Sequence, residues 1–298
     1  MTQQEEKRMQ QPVQKGEHCI IGQDVCLGEN VTLGHNCILE GHITIEANSR
    51  IESNTIIHGD VHVGEGSLIG ANCVLGESGM VFQEEGPASA LPLRIGSHAL
   101  IRSGSILYGG SEIGNHFQTG HQVTIREKTI IGDHVSVGTL SDIQGCCRIG
   151  NYVRLHSNVH IGQLSTIDAF VWIYPYVVLT NDPTPPSTDF VGVHIHSFAI
   201  VATGAIVMPG LDLGQDCLIG AGAIVTKSVK PYAVAVGNPA RTISDVRDVR
   251  NKITGKPVYP WREHFSRYMP WEGMSFEEWY TALPVEEKNR YTLGNLIK

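Results

Sequence analysis

Charge is scarce in this sequence. Of its 298 residues only 17% are Asp, Glu, Lys or Arg, and the formal net charge is −8. With 22 basic against 30 acidic residues the chain offers no broad cationic surface, which argues against a nucleic-acid partner. Long apolar runs are missing too, so no segment approaches the roughly 18 residues of a spanning helix. The polar start, MTQQEEKRMQQPVQKG, has no apolar core of the secretory kind. A soluble, cytoplasmic protein is expected. There is no CxxC pair. Cys19, Cys37, Cys73, Cys147 and Cys217 share one phase of a repeat, as small core hydrophobes do, so neither a disulfide framework nor a metal is expected.

What the chain has in abundance is glycine, at 33 positions, and a period of six. Stepping by six from Ile21 meets an aliphatic residue ten times, to Leu75. From Ile95 to Leu179 there are fifteen steps, and only Thr119 departs. From Ile195 to Val225 there are six more. The residue two before each aliphatic is usually small or β-branched, and the residue after it is often Gly. Positions i and i−2 share one face of a strand, and a neighbouring Gly permits a corner or close backbone approach. Three hexads close one coil of 18 residues, which predicts an all-β parallel β-helix of about ten coils over residues 17–230. Residues 1–16 read as a flexible tail. The Gly- and Pro-bearing stretches 76–94 and 181–194 read as loops leaving the coils. Segment 17–94, with 11 acidic and 2 basic residues, reads as a solvated acidic face.

After Lys230 the pattern ends. Residues 231–298 form a small extension, and nine of the chain's twenty aromatics lie in 259–298. Ser275 to Glu278 is a capping-box start for a short helix. The extension is expected to cap the open end of the β-helix or to supply a subunit contact.

The [LIV]-G-x-x-[small]-x pattern resembles the hexapeptide-repeat acyltransferase superfamily, which implies a left-handed β-helix and a homotrimer. Residues 200–243, with IGAGAIVTK, KPYAV and GNPAR, are similar to the closing stretch of its acetyl-CoA-dependent members. By that resemblance the backbone near Thr203 and Ala221 contacts the pantetheine arm, and Lys227, Lys230 and Arg241 meet the CoA phosphates. The small residues Thr203-Gly204 and Ala221-Gly222 lie 18 apart and should stack on one edge, where bare backbone can receive an extended arm. Tight corner packing explains the same residues without a ligand.

The acceptor is expected near the second loop. Sugar O-acetyltransferases of the superfamily open that loop with Thr-Gly-His, but here it reads Leu179-Thr180-Asn181-Asp182-Pro183. This Thr-Asn-Asp resembles the loop of amino-sugar N-acetyltransferases that act on nucleotide-linked sugars, although Pro185-Pro186 replaces their usual Pro-Arg. The resemblance implies acetyl transfer to an amino group of a sugar or sugar nucleotide. Asp182 would then bind the ammonium or take its proton, and Asn181 would orient the acceptor. Asn-Asp-Pro is also ordinary turn chemistry.

Histidines offer other bases. His156 and His160 flank one coil edge, and His194 and His196 end the loop; any of them could serve a sugar O-acetyltransferase. His98, His116 and His134, spaced by 18, should form an outward ladder. His116 and His121 have the spacing of two zinc ligands in the γ-class carbonic anhydrases, but the third position falls near Met80. A non-catalytic β-helix scaffold is a further reading.

Overall fold

The computed structural model describes residues 14–79 and 91–291, which fall into two compact units divided after Cys146. Both are parallel β-solenoids, with about 12 turns in all rather than ten. The surplus comes partly from strands beyond the hexads. Gln14–Lys15 pairs with Thr32–Leu33 before the first, and Ala233–Val236 pairs with Leu218–Ile219 after the last. The expected N-terminal tail lies outside the described residues up to position 13.

The hexad works as expected inside and differently at its corners. In the second unit Val153 and Leu155, Val159 and Ile161, and Val171 and Ile173 are all buried. Each strand is two residues long, as at Arg154–Leu155, His160–Ile161 and Thr166–Ile167. The corner is not made by the glycine after the aliphatic. It is made three residues before the aliphatic, by left-handed residues that are mostly not glycine: Tyr152, Asn158, Leu164, Phe170 and Tyr176 have φ of 58–67°. The glycine answers a different need. A Cβ on Gly150 would stand 2.6 Å from the amide nitrogen of Ala169 one turn on, so only hydrogen fits.

Left-handed corners stack, and their chemistry differs between the units. In the first, Asn30 donates to Asn48 at 3.1 Å and Asn36 to Asn54 at 3.0 Å, forming side-chain amide ladders. His98, His116 and His134 stack at 5.0 and 4.5 Å between ring centroids, the ladder their spacing predicts. Two corners are absent: Ile38–Ile45 and Ile56–Val63 run straight through, pairing residue for residue, with Gly41 against Gly59. Val61 pairs with Leu93, so the first excursion is absorbed within one turn; its residues 80–90 are outside the described set.

In the second unit the corner ladder is aromatic. Tyr152 stacks on Phe170 at 5.3 Å, and Phe170 on Phe198 at 5.1 Å. The C-terminal segment divides against this unit. Strand Arg241–Asp245 turns back antiparallel on Ala233–Val236, beyond the last parallel pairing of that sheet. The aromatic stretch, expected at the end of the solenoid, packs along its side instead. Trp261, Met269, Trp271 and Trp279 bury themselves on Ala169, Phe170, Phe198 and Ile200. Helix Phe276–Ala282 starts with the expected capping box, Ser275 and Glu278 each bonding the other's backbone amide. Cys217 lies in the core, and burial pushes its thiol up to about 12, as befits a packing residue.

Because Gly150 is required by approach and Asn158 by φ, their substitutions should separate. Gly150→Ala should lower stability by about 1–3 kcal/mol through overpacking, while Asn158→Gly should change it by less than about 1 kcal/mol. Urea unfolding of the two variants checks this; equal losses would mean that the glycines are not set by contact between turns.

Candidate functional site

The second unit carries every residue singled out for acyl transfer. Its coil at the loop is 28 residues long instead of 18, since Thr166 pairs with His194 while His160 pairs with Val178. The extra ten residues leave after Leu179 and return before His194. Two bonds close the neck: Val191 N–H donates to Asn181 O at 2.9 Å, and Thr180 Oγ1 donates to Val207 O at 2.9 Å.

Asp182 organises the loop itself. Its carboxylate accepts from Thr184 N at 3.0 Å, Ser187 N at 2.9 Å and Ser187 Oγ at 2.8 Å. Desolvation acts to raise its pKa, but the bonds from Ser187 and Thr184 together hold it below the usual carboxylate range. The turn chemistry anticipated for Asn-Asp-Pro is therefore present. Asp182 stands as a fixed anion, better suited to attract an ammonium than to take its proton.

Thr203-Gly204 and Ala221-Gly222 do stack. Gly222 N donates to Thr203 O at 2.9 Å, and Gly204 N to Pro175 O at 2.9 Å. Both glycines have left-handed φ, 71° and 67°, and a Cβ on either would meet nothing within 4 Å. The strip is open backbone, unlike the crowded Gly150. The same corner one and two turns earlier carries Tyr176 and Asn158. His156 and His160 flank that Asn158 corner on its two sides, as predicted. His156 stacks on Tyr174 at 4.7 Å, and burial pushes its imidazole below the ordinary value, so it stays neutral further into acid.

The basic residues do not gather at one point. Ala240 N donates to Ile224 O, which sets neighbouring Arg241 beside the far end of the glycine strip. Lys227 and Lys230 are exposed further round the last turn, because three and six residues beyond Ile224 carry the chain onto the next corners.

A quartet that spacing alone did not isolate lies where the loop returns. His194 Nε2 is 3.2 Å from Asp168 Oδ1, and His196 Nδ1 is 3.3 Å from Asp168 Oδ2. Asp212 Oδ1 lies 3.7 Å from His194 Nδ1 and 3.6 Å from His196 Nε2. The hydrogen bond His194 donates to Asp168 chiefly raises the His194 pKa, against desolvation. The signal was present: His194 and Asp212 are 18 apart, and Asp168 and His196 are 28 apart, one long coil. Among the described residues, His116 and His121 belong to no three-ligand group. His116 is instead stacked between two other histidines, and Met80 lies outside the described residues.

The aromatic flank is pinned by a buried ion pair. Arg262 contacts Asp216, with side-chain exposures of 13% and 1%, and lies over the Phe198 ring at 4.7 Å from its centroid. Trp261 Nε1 donates to Phe198 O at 2.9 Å. Removing one partner of such a pair strands the other charge. Arg262→Ala should cost about 3–5 kcal/mol and expose residues 249–280 to protease, with the coils still folded by circular dichroism. An unchanged proteolysis pattern would contradict the role given to this pair.

Comparison with known proteins agrees with this architecture. A family described as bacterial transferase hexapeptide (six repeats) matches residues 42–77 and 128–163, and one described as hexapeptide repeat of succinyl-transferase matches 24–58 and 202–227. A chloramphenicol acetyltransferase of Agrobacterium fabrum is 51% identical over 43 residues, 14% of this chain and 21% of its own. The galactoside O-acetyltransferase of Escherichia coli is 32% identical over 120 residues, 33% of this chain and 59% of its own. The chain thus spans less than two thirds of these relatives' length. Among solved structures, a UDP-N-acetylglucosamine O-acyltransferase from Moraxella catarrhalis aligns over 80% of this chain and 79% of its own, at 20% identity and TM-score 0.48. No helix among the described residues is long and apolar enough to cross a membrane. The repeat and the solenoid thus coincide with hexapeptide-repeat family matches over residues 24–77, 128–163 and 202–227.

Proposed function

We propose that the protein is an acetyl-CoA-dependent acyltransferase that acetylates an amino group of a sugar or sugar nucleotide, working as a homotrimer. One observation carries the reading: the open strip at Gly204 and Gly222, inside the matched stretch 202–227, where no side chain separates a ligand from backbone. An extended pantetheine arm fits such a strip as an added strand would. Thr203 and Ala221, both exposed, border it. Arg241 at its far end suits the phosphates, with Lys227 and Lys230 adding positive potential on the adjoining corners.

With the arm so laid, the thioester points down the corner toward Tyr176 and Asn158, between His156 and His160. Once its ammonium form has released one proton to solvent, the acceptor's free amine attacks the thioester carbonyl carbon, the C–N bond forms and the C–S bond breaks. The proton lost by nitrogen passes through an imidazole to the departing thiolate. His156 suits that task because burial keeps it neutral. Asp182, held anionic, attracts the acceptor's ammonium, and Asn181 beside the neck orients it. Binding both reactants in this geometry supplies most of the acceleration.

A neutral His156 also serves a hydroxyl, which needs a base more than an amine does. Acetylation of a sugar hydroxyl is therefore the second reading, and the E. coli relative is named for such a reaction.

The test is protein with acetyl-CoA and a panel of amino sugars, free and nucleotide-linked, read by release of free thiol. Turnover with an amino sugar is expected; turnover only with its hydroxyl counterpart would select the second reading. No CoA binding by calorimetry would overturn both. Thr203→Trp should obstruct the strip, weakening CoA binding at least tenfold with no shift in melting temperature. His156→Ala should cut kcat about 10²–10⁴-fold. Since the His156 pKa lies below 6.5, the acidic limb of the wild-type pH profile should fall below that value and vanish in the variant.

A further inference from the structure

We infer that Asp168, His194 and His196 form a binding site for a single Zn²⁺-class transition-metal ion, with Asp212 as the outer carboxylate that orients the two imidazoles. The inference does not rest on the acyl-transfer reading.

Ligand geometry is the first support. Around a tetrahedral centre with metal–ligand bonds of about 2.0–2.1 Å, neighbouring ligand atoms lie about 3.3–3.4 Å apart. Asp168 Oδ1 stands 3.2 Å from His194 Nε2 and Asp168 Oδ2 stands 3.3 Å from His196 Nδ1, so the carboxylate offers a separate oxygen to each imidazole. One ligand atom from each of the three residues lies within 4.8 Å of the other two. The donor set of two imidazoles and a carboxylate suits Zn²⁺ and its neighbours rather than Mg²⁺ or Ca²⁺.

A second observation points to a missing partner. Asp168 Oδ2 is buried, and although His196 Nδ1 is 3.3 Å away, the pair does not meet hydrogen-bond geometry. A buried carboxylate oxygen without a bond is costly, and an ion between the three side chains would satisfy it. Outer-sphere geometry is the third. The ring nitrogens turned away from Asp168, Nδ1 of His194 and Nε2 of His196, both face Asp212 at 3.7 and 3.6 Å. At these distances Asp212 bears on both rings as a nearby charge, in the place where an outer carboxylate stands behind ligating imidazoles at metal centres.

The solenoid explains how these residues meet. Thr166 pairs with His194 and His194 with Asp212, so Asp168, the two histidines and Asp212 come from three successive turns. The middle turn is the one the 181–193 loop re-enters, so the ion would brace that return. Side-chain exposures of 37% for His194 and 29% for His196 leave the fourth tetrahedral position within reach of a solvent or ligand oxygen.

The test uses the full chain without a histidine tag, stripped by chelator and titrated with Zn²⁺ alone by calorimetry. One Zn²⁺ per chain should bind, with affinity falling at least 100-fold in His194→Ala/His196→Ala and about 10–100-fold in Asp212→Asn. Co²⁺ in place of Zn²⁺ should give the strong visible absorption of a tetrahedral centre, and Zn²⁺ should raise the melting temperature of the wild type only. His98→Ala, in the histidine ladder of the other unit, should leave all three readouts unchanged. Should the double variant fail to fold, the single variant His196→Asn, at a partly exposed position, decides. Equal Zn²⁺ uptake by wild type and the double variant, or a Co²⁺ spectrum no different from the ion in water, would overturn the inference.

Discussion

Backbone pairing between successive turns is the constraint on which the rest depends. Outside the two excursions each strand bonds to the strand 18 residues on, as Gly34 N to Ile51 O at 2.7 Å and His160 N to Val177 O at 2.9 Å. That pairing forces like phases to stack at the spacing of hydrogen-bonded strands. The interior therefore fills mostly with small and aliphatic side chains, Phe117 being a buried aromatic at the same phase, and the residue after each aliphatic is often stripped to glycine. The outside becomes a set of ladders whose chemistry is whatever the sequence places at one phase.

Function is written in those ladders. Where a left-handed corner carries Asn, amides bond from turn to turn; where it carries Tyr152, Phe170 and Phe198, it makes an apolar flank for the tryptophans of the C-terminal segment. Where it carries Gly204 and Gly222, the surface is bare peptide. The Asp216–Arg262 pair shows how one corner departs from its ladder. Asp216 takes the place in phase of Phe198, and burial raises its carboxyl pKa while the guanidinium pulls it down. A charge this deep is tolerated only because its partner arrives from the extension.

Much of this was legible from residue order. The period of six gave the fold class, the histidine ladder and the stacking of 203–204 on 221–222. The corner residue was not legible by the rule applied, since glycine was credited with a bend that Asn158, Phe170 and their counterparts make. The His–Asp quartet was missed because the ten extra residues of the loop break the 18-residue count between Asp168 and His196. Asp182 reads as both a turn former and a site residue, and the bonds to Thr184 and Ser187 show the first role directly. The flanking position of the aromatic segment followed from Phe170 and Phe198, whose outward phase becomes meaningful only once the corners are located.

The central claim is that bare backbone at one corner receives the pantetheine arm. A crystal structure of the protein soaked with CoA tests it most directly. The account predicts the arm lying along Gly204 and Gly222, its sulfur directed toward Tyr176 between His156 and His160. CoA found on another face, or with its sulfur remote from both histidines, would contradict it.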